Sequence, residues 1–255
     1  MRKLSAALLF FLFVATAGRA EWKIVSAQTE PSAAAGLEHR HIVLVNSEAG
    51  DRATIELAVF SAKACALRVI DNPDGASNLA DTMLREKCVA GVNGGYFDPN
   101  FAPIGLRIVD GKTIAPLVRA RLLTGVLSSS SRGIEIVRVG EFSRRQKADT
   151  AIECGPFLVD RTLPVRGLDG TRSARRTFAV VDRHDRAALG FCSDVSLEEL
   201  GRILASVPLA GDFKVQRALN LDGGSSSAFW FAGERGPFSI SEQKAVRDFV
   251  AVVPK

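Results

Sequence analysis

Alternation of apolar and polar residues predicts that this chain is built mainly from β-strands. Residues 54–60 alternate and residues 41–45 are rich in β-branched side chains, and turn-forming residues separate them, which predicts a β-hairpin. A second hairpin is predicted from residues 176–182 and 187–192. Further short strands are predicted at 66–70, 88–92, 105–112, 124–139, 152–160, 228–231 and 249–253.

Two helices are predicted between the strands. Ser77 is expected to cap a helix that runs to about residue 87, because apolar side chains recur on one face. Ser196 and Glu199 have the spacing of a capping box before an apolar helical face. Because strands outnumber helices and hairpins mix with strand–helix–strand passages, the pattern predicts a single α+β domain at 38–255, with a mixed, mostly antiparallel sheet and a few helices.

The first 37 residues have a different pattern. Arg2 and Lys3 precede a short apolar run, and small residues follow up to Ala20, which predicts that residues 1–20 are a secretory signal peptide. Residues 21–37 lack periodicity and are predicted to be a loose lead-in. The chain is therefore expected to be exported, to the periplasm or beyond the cell. No transmembrane segment is expected after the leader, and an uncleaved leader that anchors the chain is the alternative.

Charge argues against a nucleic-acid partner. The formal net charge of +5 includes Arg2, Lys3 and Arg19, and a leader cut after Ala20 would leave +2. The remaining basic clusters, at 144–147 and 172–176, are too short for a nucleic-acid footprint. Nothing in the pattern indicates the oligomeric state.

The four cysteines are an even number, and an exported chain can form disulfides. No C-x-x-C occurs, which argues against a zinc or thioredoxin-type site. Cys65 and Cys88 border apolar runs in the first half of the chain, and Cys154 and Cys192 do so in the second. This favours the pairs 65–88 and 154–192, and buried free thiols are the alternative.

Several common chemistries are excluded by missing motifs. The run 224–227 lacks the second glycine of a G-x-S-x-G nucleophile elbow, and only His39, His41 and His184 could serve as a base. There is no P-loop, no H-E-x-x-H and no G-x-G-x-x-G that opens a helix. No cofactor and no metal are expected, although Asp98, Glu153 and Asp222 are oxygen donors that match no calcium loop.

Four polar breaks interrupt the apolar strands and are the candidate site. They are Asn93 to Asp98, Glu153 to Pro156, Arg176-Thr177, and Asp222 to Ser226. Strand ends that present a carboxylate, an arginine and glycine N–H groups suit a substrate that is both sugar-like and phosphate-like. The competing interpretation of Asn93 and Asp98 is a turn that bonds its own backbone, and that of 222–226 is a polar turn between two strands. For Arg176 it is a surface or ion-paired residue in a basic loop.

These breaks are similar to the sequence blocks of the phosphodiester glycosidase family. The blocks occur in the family's order and rough spacing from about residue 38 to the C-terminus: Asn-Gly-Gly-Tyr-Phe-Asp at 93–98, Pro-Ile-Gly-Leu at 103–106, Asp-Gly-Lys at 110–112, Cys-Gly-Pro-Phe-Leu-Val at 154–159, Arg-Thr at 176–177, and Asn-Leu-Asp-Gly-Gly-Ser-Ser at 220–226. The resemblance implies a hydrolase that cleaves a sugar from a sugar-1-phosphodiester or a related envelope glycan.

The resemblance also implies roles for individual residues. Asp222 would be the general acid or base, Arg176 would hold the phosphate, and Asn93 with Thr177 would orient the substrate. The remaining substrate-binding candidates are Gly94, Gly95, Asp98, Glu153, Gly155, Gly223, Gly224 and Ser225, of which Gly94-Gly95 and Gly223-Gly224-Ser225 would supply backbone donors.

Two departures from the family affect the expected substrate. Ser225 stands where the family commonly has a third glycine, and Glu153 stands where it often has glutamine. Two alternatives stay open: a non-catalytic module that binds carbohydrate or cell envelope, and a hydrolase of another phosphodiester or polysaccharide. Whether the reaction is retaining or inverting depends on carboxylate separation, which sequence does not give.

Overall fold

The computed structural model describes residues 21–32, 34–143 and 147–255. The predicted signal peptide lies outside these residues. The strands are β1 (Trp22–Pro31), β2 (Leu37–Asn46), β3 (Arg52–Ser61), β4 (Cys65–Asp71), β5 (Ala90–Asn93), β6 (Arg107–Val109), β7 (Lys112–Ala115), β8 (Gly125–Ser130), β9 (Gly133–Arg138), β10 (Thr150–Cys154), β11 (Phe157–Asp160), β12 (Leu163–Pro164), β13 (Ala174–Val181), β14 (Arg186–Val195), β15 (Arg217–Asn220), β16 (Phe229–Gly233), β17 (Gly236–Ile240) and β18 (Asp248–Pro254). The helices are α1 (Leu79–Arg85) and α2 (Leu197–Ser206), and a single 3-10 turn spans Gly224–Ser226.

The strands form three antiparallel sheets. The largest has eight strands in the order β1-β2-β3-β14-β13-β15-β11-β12. The other two have five strands each, in the orders β17-β16-β5-β18-β4 and β7-β6-β10-β8-β9. Strand content far exceeds helix content, so the predicted sheet-rich α+β domain is confirmed.

Both predicted hairpins are present, as β2–β3 and β13–β14. Strand β1 corrects the prediction of a loose lead-in, because it pairs with β2 along its length. Most of its side chains are exposed. Because this edge strand buries little surface, its sequence does not show the alternation of apolar and polar residues that identifies a strand.

The helices begin where capping side chains allow. Asn78, one residue after the predicted Ser77, caps α1 by accepting a hydrogen bond from the Asp81 N–H. In α2 the predicted capping box is confirmed: Ser196 and Glu199 each accept from the other's backbone N–H. No helix within the described residues is long and apolar enough to cross a membrane.

The core consists of apolar layers on both faces of the eight-stranded sheet. One layer joins this sheet to the two five-stranded sheets and includes Phe157, Leu219 and Phe229. The other packs the opposite face against α2, through residues such as Phe178 and Leu200. Strands β5 and β15 end with polar residues, and β13 has polar residues near its beginning. Because β13 and β15 are antiparallel neighbours, the beginning of β13 lies beside the end of β15.

The cysteines correct a second prediction. Cys65, Cys88, Cys154 and Cys192 are all buried free thiols, so the pairs 65–88 and 154–192 are wrong. Burial raises the pKa of Cys88 to about 11 and that of Cys154 to about 12. The cysteine side chains pack as small apolar residues. Each cysteine borders an apolar run in the sequence because both belong to the core.

Candidate functional site

Three of the predicted polar breaks meet at the ends of β5 and β15 and the beginning of β13. The Asn93 amide donates to the Asp222 carbonyl at 2.8 Å and accepts from the Thr177 hydroxyl at 2.7 Å. The Asp222 N–H donates to the Gly94 carbonyl at 3.0 Å. These hydrogen bonds fix the position of the Asp222 turn. Because Asn93 and Thr177 are fully buried, the groups that face substrate belong to other residues.

Asp222 is the carboxylate at the centre of this arrangement. The Gly223 N–H donates to its Oδ1 at 2.9 Å. Burial raises the pKa of Asp222 above its ordinary value of 3.8, opposed by Ser226 and by the positive charge of Lys244. The buried Ser226 hydroxyl lies beside the carboxylate without forming a hydrogen bond of standard geometry within the described chain. A carboxyl group held in this way is suited to proton transfer.

Arg176 lies beside the Gly223 turn. Its Nε donates to the Val195 carbonyl at 2.9 Å and its Nη2 to the Arg172 carbonyl at 2.5 Å. A Cβ placed on Gly223 would lie 4.0 Å from its Nη1. The side chain is 8% exposed, and no carboxylate of the described residues lies within ion-pair distance. Burial lowers the pKa of Arg176, and the charge of Asp169 acts in the opposite direction. This cation is therefore desolvated, and the described residues supply no ion-pair partner for it.

Tyr96 joins the site, although the sequence indicated it only as part of a motif. Its hydroxyl donates to the Gly155 carbonyl at 2.6 Å and accepts from the Asn220 amide at 3.1 Å. Burial raises the pKa of Tyr96, and the charges of Asp222 and Arg176 both act on it. Tyr96 therefore lies among the charged groups of the site as a neutral phenol.

Lys244 is the second residue that sequence reasoning missed. It is exposed, its Nζ lies 5.1 Å from the centre of the Phe97 ring, and its charge acts on Asp222. The Gln243 N–H donates to the Ser225 carbonyl at 2.7 Å, which holds this segment against the Asp222 turn. No strand pattern marks the loop, so the sequence carried no signal for it.

Gly94 and Gly95 have a different role from the one predicted. The Gly94 N–H donates to the Asp248 carbonyl and the Gly95 N–H to Asp248 Oδ1, each at 2.8 Å. A Cβ on Gly94 would lie 1.8 Å from Asp248 Oδ1, and one on Gly95 would lie 2.0 Å from Arg107 Nη2. These glycines make room for a buried ion pair, and their N–H groups are already bonded, so they are not free donors for substrate.

That ion pair joins Arg107 to Asp248. The Nε and Oδ2 atoms are 2.7 Å apart, and the side chains are 0% and 1% exposed. Arg107 also donates to the carbonyls of Leu106, Glu153 and Tyr96. The bond from Arg107 to the Tyr96 carbonyl fixes the loop that carries Tyr96, so the ion pair holds this part of the site in position.

Glu153 and Asp98, which were predicted to bind substrate, use carboxylate oxygens in hydrogen bonds to nearby loops. Glu153 is fully buried, and its Oε2 accepts from the N–H groups of Leu106 and Val118 at 2.8 and 3.0 Å. Its Oε1 has no partner in the described chain. Asp98 Oδ1 accepts from the N–H groups of Asn100 and Ala102, both at 2.9 Å, within its own turn. Both residues shape loops around the site.

Of the three remaining glycines, Gly155 and Gly223 each face a backbone carbonyl oxygen, and Gly224 is open. A Cβ on Gly155 would lie 2.1 Å from the Leu122 carbonyl oxygen, so this glycine is required for close packing. Gly224 has a φ of +66° and open space around it, and Ser225 is exposed. The N–H groups of Gly224 and Ser225 have no acceptor among the described residues. This turn is therefore the open, donor-rich side of the site. Across the described ranges, no group of three or more His, Cys, Asp or Glu side chains is placed to hold a metal ion.

Comparison with known proteins gives the family and the fold. Residues 86–253 match the phosphodiester glycosidase family. No curated protein matches the chain. Three solved structures share the fold. The zebrafish N-acetylglucosamine-1-phosphodiester alpha-N-acetylglucosaminidase catalytic domain, auto-inhibited by its pro-peptide, is 15% identical over 90% of this chain and 88% of that chain, with a TM-score of 0.65.

The other two structures are bacterial. A hypothetical protein from Synechocystis is 14% identical over 86% of this chain and 62% of that chain, with a TM-score of 0.65. A protein from Burkholderia pseudomallei K96243 that is named as exported is 13% identical over 80% of this chain and 75% of that chain, with a TM-score of 0.57. At these identities the likeness concerns the fold.

Proposed function

Because the chain belongs to the phosphodiester glycosidase family, we propose that it is an exported hydrolase that cleaves a sugar from a sugar-1-phosphodiester or a related envelope glycan. The observation that carries the proposal is that Asp222 and Arg176 both lie beside the Gly223 turn. One is a carboxyl group with a raised pKa, and the other is a buried cation without a counter-ion. The zebrafish neighbour's name describes cleavage of the same kind of bond.

Arg176 is the group that binds the phosphodiester. A buried guanidinium has lost its hydration, and its Nε and Nη2 bonds go only to neutral carbonyl groups. A phosphate oxygen at Nη1 would supply the missing negative charge through a charge-assisted hydrogen bond. The free N–H groups of Gly224 and Ser225 add donors for the same anion.

Asp222 is the group that moves a proton. In hydrolysis of such a diester, water adds to the anomeric carbon, the bond from that carbon to the phosphate oxygen breaks, and its electron pair leaves with the phosphate. Because a phosphate monoester is a stable anion, its departure requires charge stabilisation more than protonation. One carboxylate that accepts the proton of the attacking water is then sufficient, which fits a site where Glu153 and Asp98 are bonded to loops.

Asn93 and Thr177 position the machinery from within. Their mutual hydrogen bond and the bond from Asn93 to the Asp222 carbonyl hold the carboxylate in place. Ser225, by contrast, is exposed beside the catalytic turn. We assign it to substrate selection, because its side chain stands where the family commonly has none.

Hydrolysis of a panel of sugar-1-phosphodiesters by the purified protein without residues 1–20 tests the proposal. Release of free sugar from at least one diester, and its loss in Asp222→Asn, is the expected result. Absence of turnover across the panel together with binding to envelope glycans would overturn it and would identify a non-catalytic binding module. Recovery of the mature protein from the periplasm or medium, cut after Ala20, tests export separately.

A further inference from the structure

A second cleft lies away from Asp222, between the β1–β2 edge of the large sheet and the β16–β17 hairpin. Its volume is about 620 Å³. It is closed at one end, where Ser32 pairs with Gly233 and the Ser32 hydroxyl donates to the Ala232 carbonyl at 3.0 Å. We call it the histidine cleft, and the lining residues that matter are Gln28, Glu30, His39, His41, Arg235 and Phe238.

The histidine cleft and the Asp222 site lie on one face of the large sheet. His41, Glu56, Phe191 and Thr177 occupy paired positions on β2, β3, β14 and β13. Three strand spacings of about 4.8 Å separate the backbones of His41 and Thr177 by about 14 Å. The Phe191 ring fills the interval, with the Arg175 guanidinium 5.2 Å from the ring centre. The two sites are therefore separate.

A buried carboxylate orients the histidines of the cleft. Glu56 is 2% exposed, and its two oxygens contact His39 Nε2 and His41 Nδ1, both at 2.8 Å. His39 also stacks on the ring of Phe238, with centres 4.8 Å apart. Because Nδ1 of His41 is used, its Nε2 remains for a partner in the cleft. A buried carboxylate bonded in this way contributes little net stability, so stability alone does not account for this cluster.

We propose that the histidine cleft binds a saccharide unit. Its volume is in the range of small-ligand sites, about 300 to 1,000 Å³. Glu30, Glu234 and Arg235 line the cleft together with Gln28 and the His41 ring. Two carboxylates against one guanidinium disfavour an anion and provide acceptors for the hydroxyl groups of a neutral polyhydroxyl ligand. The half-buried Phe238 ring offers the apolar surface that a pyranose face requires. The inference is independent of hydrolysis at Asp222.

Titration calorimetry with two neutral probes, chitotriose and maltotriose, tests the proposal, with glycerol 1-phosphate as the anionic comparison. We expect at least one trisaccharide to bind the full chain. Gln28→Ala and Arg235→Ala change exposed side chains at the rim, so the fold is preserved, and each should weaken binding at least about fivefold, as loss of one or two hydrogen bonds does. The matched control Arg132→Ala, an exposed arginine elsewhere, should leave the affinity unchanged.

Three outcomes would overturn the proposal. In the first, neither trisaccharide binds. In the second, binding is lost in Asp222→Asn and kept in both rim variants, which assigns the sugar to the other site. In the third, glycerol 1-phosphate binds in preference to the sugars and depends on Arg235. Hydrolysis of sugar-1-phosphodiesters by the rim variants is measured in parallel, so failure here is distinguishable from failure of the proposed activity.

Discussion

Two arginine–aspartate regions lie side by side in this protein, and they differ in how completely they are paired. Arg107 and Asp248 bond to each other at 2.7 Å, and both are surrounded by backbone partners. Arg176 and Asp222 both lie beside the Gly223 turn and form no ion pair in the described structure. In the first region the two charged side chains neutralise each other. In the second region the guanidinium and the carboxylate are not paired with each other and can interact with a ligand.

The difference separates support from chemistry. A paired buried ion fixes geometry, because neither partner can leave without exposing the other's charge. Burial of an unpaired cation is energetically unfavourable, and a bound anion would reduce this cost. The same chemical change should therefore affect folding in one region and turnover in the other, and the following predictions test that contrast.

The largest expected effect is on turnover in Asp222→Asn. Removal of a general acid or base costs about 10²- to 10⁴-fold in rate. The asparagine oxygen can still accept the Gly223 N–H, so the free energy of unfolding should change by less than about 1 kcal/mol. Steady-state hydrolysis and urea denaturation measure the two, with the exposed Asp51→Asn as control. Full activity in Asp222→Asn would remove Asp222 from the mechanism.

The same substitution at Asp248 should act on stability. Breaking a buried ion pair costs about 3–5 kcal/mol, and Asp248→Asn leaves Arg107 without its counter-ion. Urea denaturation should show this loss. Asp185→Asn is the matched control, since Asp185 pairs with Lys63 on the surface at 3.5 Å, where a pair contributes about 0–1 kcal/mol. Equal losses in the two variants would contradict the contrast.

Arg176→Gln should weaken recognition of phosphate. A hydrogen bond to a charged group contributes about 1.5–3 kcal/mol, so affinity for a sugar 1-phosphate should fall about ten- to hundredfold. Affinity for the free sugar should change little. Calorimetry with both ligands measures the difference, and Arg172→Gln, an exposed neighbour, is the control. An equal loss for both ligands would mean that Arg176 maintains structure.

Ser225→Gly should have a smaller effect, confined to selectivity. Ser225 is exposed, so the free energy of unfolding should change by about 1 kcal/mol or less. Relative rates across the diester panel should change by less than about tenfold, as expected for removal of one side-chain contact. Ser241→Gly, at another exposed serine, should leave the ranking of substrates unchanged. If Ser225→Gly leaves it unchanged too, Ser225 does not select substrate.

The pH dependence of stability should show the smallest effect. The folded pKa of Asp222 is raised above 3.8, so between 3.8 and the folded value the native state holds a proton that the unfolded chain has lost. Stability from this group therefore falls as pH rises through that window. Asp222→Asn lacks the titration, so its stability relative to wild type should rise with pH. Denaturation at a series of pH values checks the direction.

Much of the fold could be predicted because its signals are local. The β2–β3 hairpin and the Ser196 capping box each lie within a short stretch of sequence, and both are present. Strand β1 was missed because its face is mostly exposed. The predicted disulfide pairs are wrong. An oxidising compartment and a position beside an apolar run permit a disulfide bond but do not require one, and the four thiols instead pack in the core.

The candidate site could be predicted only in part. Asp222 stands in a glycine-rich break and Arg176 stands in a basic one. The residue composition of these short segments is visible in the sequence. Arg107 and Asp248 are 141 residues apart, and each lies in an apolar strand, so no local pattern joins them. Gly94 and Gly95 were assigned free donors because sequence does not show that Asp248 takes both N–H groups.

The hydrogen bond from Asn93 to the Asp222 carbonyl has a consequence for folding kinetics. It joins residues 129 apart, and the Gly95 bond to Asp248 joins residues 153 apart. Contacts of such sequence separation form slowly, because the intervening chain must first lose its freedom. During refolding, helical and hairpin signals should return before any diester is cleaved, and a burst of secondary structure would precede a lag in activity.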